Sequence, residues 1–144
     1  MLKLALDTNI IISALHKADS DPDLILSLVL DRDSKLATLY LSKDIYQEYE
    51  EVLFRNKFSY FSRAKVRNIL EKIQETAVWV EPAVPVKVVK VDPADNKFLE
   101  CALACEADFL ITGNIKHFPL RKFRQTKIVS PGNFIELIGQ GIIA

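Results

Sequence analysis

The sequence predicts a single α/β domain over residues 1–144, a three-layer α/β/α sandwich around a mainly parallel central sheet. Two observations define the class and a third sets its size. Short apolar runs (Leu2–Leu6, Leu36–Leu41, Phe109–Ile111) alternate with segments of helical period, the pattern of strands joined by crossover helices. Helix-start signals, Ser or Asp beside Pro, recur between those runs. At 144 residues the chain can bury one core but not comfortably two.

Taken in order, Leu2–Leu6 reads as a buried strand ending in the polar cluster Asp7-Thr8-Asn9, and Ile10–Lys17 as a helix leaving that point. Asp21-Pro22 reads as an N-cap with Pro at the first helical position, opening a helix to about Leu30. After the strand Leu36–Leu41, Ser42 caps a helix whose apolar stripe is Ile45, Tyr49, Val52 and Leu53, with Asp44 favourable in its first turn. Ser62 caps another, with Val66, Ile69, Leu70 and Ile73 facing inward. Val78–Val80 and Val86–Val91 are β-rich segments broken by Pro82 and Pro85, and at least the first is expected to be a strand. Asp92-Pro93-Ala94-Asp95 is a cap, a Pro at N1 and an acid at N3, starting a helix through Phe98, Leu99, Ala102 and Leu103. Phe109–Ile111 is a buried strand ending in Thr112-Gly113-Asn114; a short strand at Lys127–Val129 precedes a last helix opened by Ser130-Pro131.

Hydrophobic residues make up 49% of the chain and charged ones 26%, the profile of a soluble globular protein without low-complexity or repeated segments. Lys plus Arg (19) equals Asp plus Glu (19), so a bulk electrostatic pull on nucleic acid is excluded and any such binding must rest on local patches. Two basic-aromatic stretches offer them, Arg55 to Arg67 and Lys116 to Lys127, although solvated charge beside buried aromatics explains them equally simply. Asp7 and Asn9 interrupt the apolar run Leu4–Leu15, which is too short and polar for a membrane span or signal peptide. Cys101 and Cys105 read as small core residues in a reducing compartment, with the cytoplasm as default, and no zinc-spaced Cys/His cluster exists.

In an open parallel sheet ligands bind beyond the C-terminal ends of the strands. The polar groups expected there are Asp7-Thr8-Asn9 and Thr112-Gly113-Asn114, with Asp95 on the turn feeding the second strand and Glu48 on the helix after Leu36–Leu41. Carboxylates gathered from distant segments repel one another unless cations lie between them. Oxygen-only donors select Mg²⁺ or Mn²⁺ over zinc, and such ions suit phosphoryl chemistry. Each residue also has a plain reading: Asp7 as a turn or cap residue, Asp92 and Asp95 as helix-start acids, Glu48 as solvated charge, Asn114 as a turn former. Their joint placement carries the functional case. No Ser-His-Asp set, Walker-type loop or dinucleotide fingerprint competes.

These residues carry a specific resemblance. Leu4-Ala5-Leu6-Asp7-Thr8-Asn9 resembles the opening strand of PIN-domain proteins, and Glu48 in Tyr46-Gln47-Glu48-Tyr49-Glu50-Glu51-Val52-Leu53 resembles their helical acid. Asp92-Pro93-Ala94-Asp95-Asn96-Lys97-Phe98-Leu99 resembles the segment of their third acid, and Thr112-Gly113-Asn114-Ile115-Lys116-His117-Phe118-Pro119 their fourth motif. The motifs occur in the family's order over about the first four-fifths of the chain. The nearest group is the VapC type, toxin components of bacterial and archaeal toxin–antitoxin pairs. The resemblance implies a Mg²⁺- or Mn²⁺-dependent endoribonuclease, often homodimeric, neutralised by a small antitoxin protein and acting on RNA without a membrane. It carries over Asp7, Glu48 and Asp95 as metal ligands and, with Asn114, as the catalytic set; Thr112 and Asn9 are supporting residues, Asn9 orienting Asp7 or a bound water. Arg55, Lys116 and Arg121 are candidates to hold the RNA backbone.

Three positions depart from the family pattern. Asn114 offers a neutral oxygen where many relatives have Asp, so a second metal would bind less tightly. Asn96 follows Asp95 where close relatives often have another Asp, and Glu106 stands where a helix-ending Gly is frequent. Two other functions remain open from sequence. One is a phosphatase or phospho-receiver, although Asp7-Thr8-Asn9 lacks the second acid of haloacid-type phosphatases. The other is a catalytically weak PIN scaffold that binds RNA or a protein partner.

Overall fold

The computed structural model describes residues 1–34 and 36–141; the last residues of the expected 1–144 domain lie outside the described residues. Its strands are β1 (Leu2–Leu6), β2 (Ala37–Leu41), β3 (Val78–Trp79), β4 (Phe109–Ile111), β5 (Lys122–Phe123) and β6 (Thr126–Val129). Its helices are α1 (Thr8–His16), α2 (Asp21–Leu30), α3 (Lys43–Leu53), α4 (Arg63–Thr76), α5 (Asn96–Cys105) and α6 (Pro131–Gly139). The sheet runs β3-β2-β1-β4-β6-β5 and is parallel except for β5, which forms a hairpin with β6. This is the expected α/β architecture, with helices flanking a mostly parallel sheet.

Burial explains the order of the strands. Leu4, Ala5 and Leu6 on β1 and all of β4 are buried, which only strands covered on both faces tolerate. Helix α5 packs on β1, β2 and β4 through an inward face that includes Phe98, Leu99, Cys101 and Ala102. On the other elements α1 packs on α2, and α2 reaches α6 and α4. Cys101 and Cys105 are buried and unbridged, as expected of core residues.

Capping fixes where the helices begin. Ser42, Ser62 and Ser130 accept the N–H groups of Ile45, Lys65 and Asn133, satisfying donors the helix leaves free. The cap of α2 is Ser20 rather than Asp21, because the Ser20 hydroxyl accepts the Asp23 N–H while Asp21 is already helical. Helix α1 starts at Thr8, two residues earlier than its apolar periodicity suggests. Asp92 caps a 3₁₀ turn, Pro93–Asp95, that leads into α5.

Val86–Val91 is not a strand. Val86 donates its N–H to Glu100 Oε2 at 2.9 Å. Val89 donates to Asn96 Oδ1 at 2.8 Å, and its carbonyl accepts from Asn96 Nδ2 at 2.9 Å. Side chains of α5 thus take the place of a partner strand, and the segment buries Val86 and Val89 while Val91 stays exposed. The β5 hairpin strand had no sequence signal; two residues are too few for a periodicity.

Candidate functional site

The sheet changes direction of growth between β1 and β4: from β1 the chain moves out to β2 and β3, then returns to β4 on the other side. The ends of two adjacent strands with crossovers leaving to opposite sides leave a crevice. Asp7 follows β1 there and Thr112 follows β4, and the Asp7 N–H donates to Ile111 O at 3.0 Å.

Asp7 occupies the N-cap position of α1, yet its side chain makes no capping hydrogen bond. Instead Asp7 Oδ2 accepts the Thr112 hydroxyl at 2.7 Å. The carboxyl is 4% exposed. Burial pushes it up to about 6; the Thr112 hydrogen bond works against this, and the charges of Asp95 and Glu48 raise it further. The plain reading of Asp7 as a cap therefore fails, and acids from three distant segments share one electrostatic field.

Asp95 is buried at the end of its 3₁₀ turn. Desolvation raises its carboxyl above the usual range, the negative charge of Asp92 adds to this, and His117 opposes it. His117 Nδ1 stands 3.6 Å from Asp95 Oδ2, close enough for charge attraction but too long for a hydrogen bond, and that buried nitrogen has no hydrogen-bond partner among the described residues. Glu48 projects from α3 toward α5 and accepts from both sides: Lys97 Nζ at 2.8 Å on Oε1 and the Thr8 hydroxyl on Oε2.

A second tier braces these groups. The buried Tyr49 hydroxyl donates to Leu6 O at 2.6 Å, tying α3 to the tip of β1 beside Asp7. Asn9 Oδ1 accepts the Gly113 N–H at 2.9 Å, and a Cβ at position 113 would stand 3.1 Å from that oxygen, so glycine permits the close approach of the two loops. Asn9 Oδ1 thus braces the turn after β4. The Asn114 N–H donates to Thr112 Oγ1 at 3.0 Å, while its exposed side chain caps nothing. Of the cations proposed for RNA, Arg121 is spent on Ile115 O and Phe118 O, Arg55 pairs with Glu51 at 2.9 Å, and Lys116 is exposed.

Three residues of this site escaped the sequence reading in their roles. Lys97 carried a readable signal, since a cation in the first turn of a helix opposes the macrodipole and implies an acidic partner. Tyr49 reads as part of an apolar stripe and His117 as part of a basic stretch, and the family motifs give neither a role of its own. Asn96 turns out to be structural: it must both donate and accept to hold Val89, which a carboxylate cannot do.

The donors suit a hard dication in kind, being carboxylate oxygens that raise one another's proton affinity. Their side chains do not converge into a ligand set: among the described residues no three His, Cys, Asp or Glu side chains stand close enough to hold a metal. Glu48 is engaged by Lys97 and Thr8, and Asp95 faces His117.

An α/β protein with buried acids at the switch point of its sheet is the class that fold and site define. The PIN domain family model matches residues 3–116, well over half of the chain, and the chain belongs to that family. Among solved structures, VapBC2 from Rickettsia felis bound to a DNA fragment from their promoter shares the fold. It has a TM-score of 0.58 and 17% identity, over 90% of this chain and 98% of that one. VapBC-1 from nontypeable Haemophilus influenzae is similar at a TM-score of 0.52 and 21% identity, over 81% and 90% of the two chains. No curated protein sequence matches the chain. No described helix is long and apolar enough to cross a membrane.

Proposed function

We propose that this protein is a Mg²⁺- or Mn²⁺-dependent endoribonuclease, the toxin of a toxin–antitoxin pair. The observation that carries the reading is the buried Asp7 carboxyl, pushed up to about 6 in the field of Asp95 and Glu48. A fold that buries mutually repelling acids bears a free-energy cost that a bound dication would offset. As they stand, Asp7, Glu48 and Asp95 form no ligand set among the described residues. On this reading Glu48 would leave Lys97 and Asp95 would turn from His117 to close on the ion with Asp7, Asn114 offering a weaker oxygen at the rim. When bound, such an ion activates water and neutralises phosphate charge for in-line hydrolysis. Thr112 keeps Asp7 in one orientation by donating to Oδ2. Tyr49 holds Asp7 and Glu48 at a fixed spacing through Leu6 O. Lys97, next to Glu48, is placed to exchange its carboxylate partner for a phosphate oxygen. The products would be a 5′-phosphate and a 3′-hydroxyl. A small antitoxin partner belongs to the same reading, supported by the fold shared with the two VapBC proteins, and a homodimer belongs to it through the family resemblance alone.

The Lys97–Glu48 pair favours one alternative, a catalytically weak scaffold that binds RNA or a protein, because it already neutralises one of the acids. Incubation of purified protein with labelled RNA, with Mg²⁺, Mn²⁺ or chelator, decides between them. Cleavage that needs the ion and disappears in Asp7→Asn and Asp95→Asn supports the nuclease. Metal-independent RNA binding without cleavage, unchanged in Asp7→Asn, supports the scaffold.

A further inference from the structure

Beside the acids lies a groove of about 360 Å³ lined by Val88, Lys90, Val91, Lys116, His117 and Pro119. Its ionisable lining among the described residues is basic throughout, although the chain as a whole carries no net charge. It adjoins the site through His117, which lines the groove and whose buried Nδ1 stands 3.6 Å from Asp95 Oδ2. One wall is the Val86–Val91 segment that Asn96 and Glu100 fasten to α5; the other is the loop after β4. Val91 is 71% exposed on this wall, an apolar side chain that the core does not use.

We propose that this groove is the subsite for a nucleotide next to the scissile phosphate of a single-stranded RNA, with Lys90 and Lys116 gripping the backbone. The proposal rests on the ribonuclease reading and adds to it a place and a strandedness for the substrate. The cations match an anionic backbone, and each phosphate they neutralise releases counterions. Val88, Val91 and Pro119 supply an apolar face that only an unpaired base can use, since a duplex keeps its base faces stacked inside and presents only backbone and polar base edges. Lys90 emerges as a contact that no sequence motif marked, because it lies in the stretch that reads as a β segment. The structure also separates it from Arg121 and Arg55, whose guanidinium groups are already engaged.

The test is the fluorescence anisotropy of a labelled short single-stranded RNA in chelator, repeated across a salt series. Parallel cleavage assays are run in Mn²⁺. Lys90→Glu and Lys116→Glu are each expected to weaken binding about fivefold to tenfold, and loss of either contact to flatten the salt slope by about 0.7. Lys90→Arg restores binding, and Lys72→Glu, on the far α2–α4 face, leaves it unchanged. Val91→Ser weakens binding to single-stranded RNA but not to a duplex. Wild-type affinity in both lysine-to-glutamate variants, or equal damage from Lys72→Glu, overturns the subsite. If wild-type protein still cleaves in Mn²⁺, the nuclease reading survives that result. Lysine-dependent binding without cleavage in any dication leaves the subsite standing and removes the nuclease.

Discussion

Two hollows of this molecule hold carboxylates in opposite states. One, about 540 Å³ between α2 and α4, is lined by Asp23, Asp31, Arg32, Lys72 and Glu75 among others. Its ion pair, Arg32–Glu75 at 3.7 Å, has both side chains more than two-thirds exposed (69% and 68%), where water already solvates each charge and the pair contributes little. The crevice at the ends of β1 and β4 takes Asp7 to 4% exposure, and burial pushes its carboxyl up to about 6. What distinguishes the crevice is charge held away from water, at a cost the fold bears without any gain in its own stability.

That contrast is broken most severely at Asp7. Asp7→Asn is expected to reduce cleavage by about 10³-fold or more, about 4 kcal/mol in transition-state terms, while the chelated protein becomes more stable at pH 7. The gain follows from a shift of the carboxyl from 3.8 to about 6, on the order of 3 kcal/mol. Calorimetry beside a cleavage assay checks both, and a loss of stability in Asp7→Asn would show that the acid is structural.

The same shift sets a pH dependence. Between 3.8 and about 6 the folded chain keeps a proton on Asp7 that the unfolded chain has released, so this contribution to stability falls as pH rises through that window and is flat above it. Denaturant titrations of chelated protein across the window should show this component in wild type and not in Asp7→Asn.

A smaller effect is expected at Lys97. Lys97→Met leaves Glu48, whose side chain is 19% exposed, without its cation, so the metal-free protein loses about 1 kcal/mol or more. Mn²⁺ should then raise the Tm of this variant further than that of wild type, because the ion no longer competes with an ammonium group for Glu48. An equal Mn²⁺ shift in both proteins would place Glu48 outside the metal site. The smallest effect belongs to the other hollow: Arg32→Ala should change stability by less than about 0.5 kcal/mol, and a larger loss would undo the contrast between the two regions.

The path of the chain was readable from sequence where local physics decides it. Buried strands β1, β2 and β4 announced themselves as apolar runs, and Ser42, Ser62 and Ser130 stand at helix starts because their hydroxyls satisfy free N–H groups. Segment 86–91 reads only as β-rich in composition, because composition does not name the partner that supplies hydrogen bonds, and here the partner is a pair of side chains on α5. Within the site, Asp7 and Asp95 stand out in the chain because one follows a strand and the other opens a helix. Glu48, in the middle of α3, is marked by its offset from the apolar stripe and by the family resemblance. The groups that tune them did not stand out. Lys97, Tyr49 and His117 acquire their roles across 49, 43 and 22 residues of sequence, respectively, through contacts that no spacing rule encodes.

Asn96 joins two jobs that sequence keeps apart. Its amide is the fastener for Val89, one residue before Lys90, and its backbone follows directly on Asp95. For an RNA strand lying along Val88–Val91, Asn96 is therefore the ruler between the gripping wall and the nearest acid, with Glu100 holding the wall only at Val86. Loosening that ruler, as in Asn96→Ala, should blur which bond is cut as well as how fast, giving a ladder of neighbouring products where the wild type gives one.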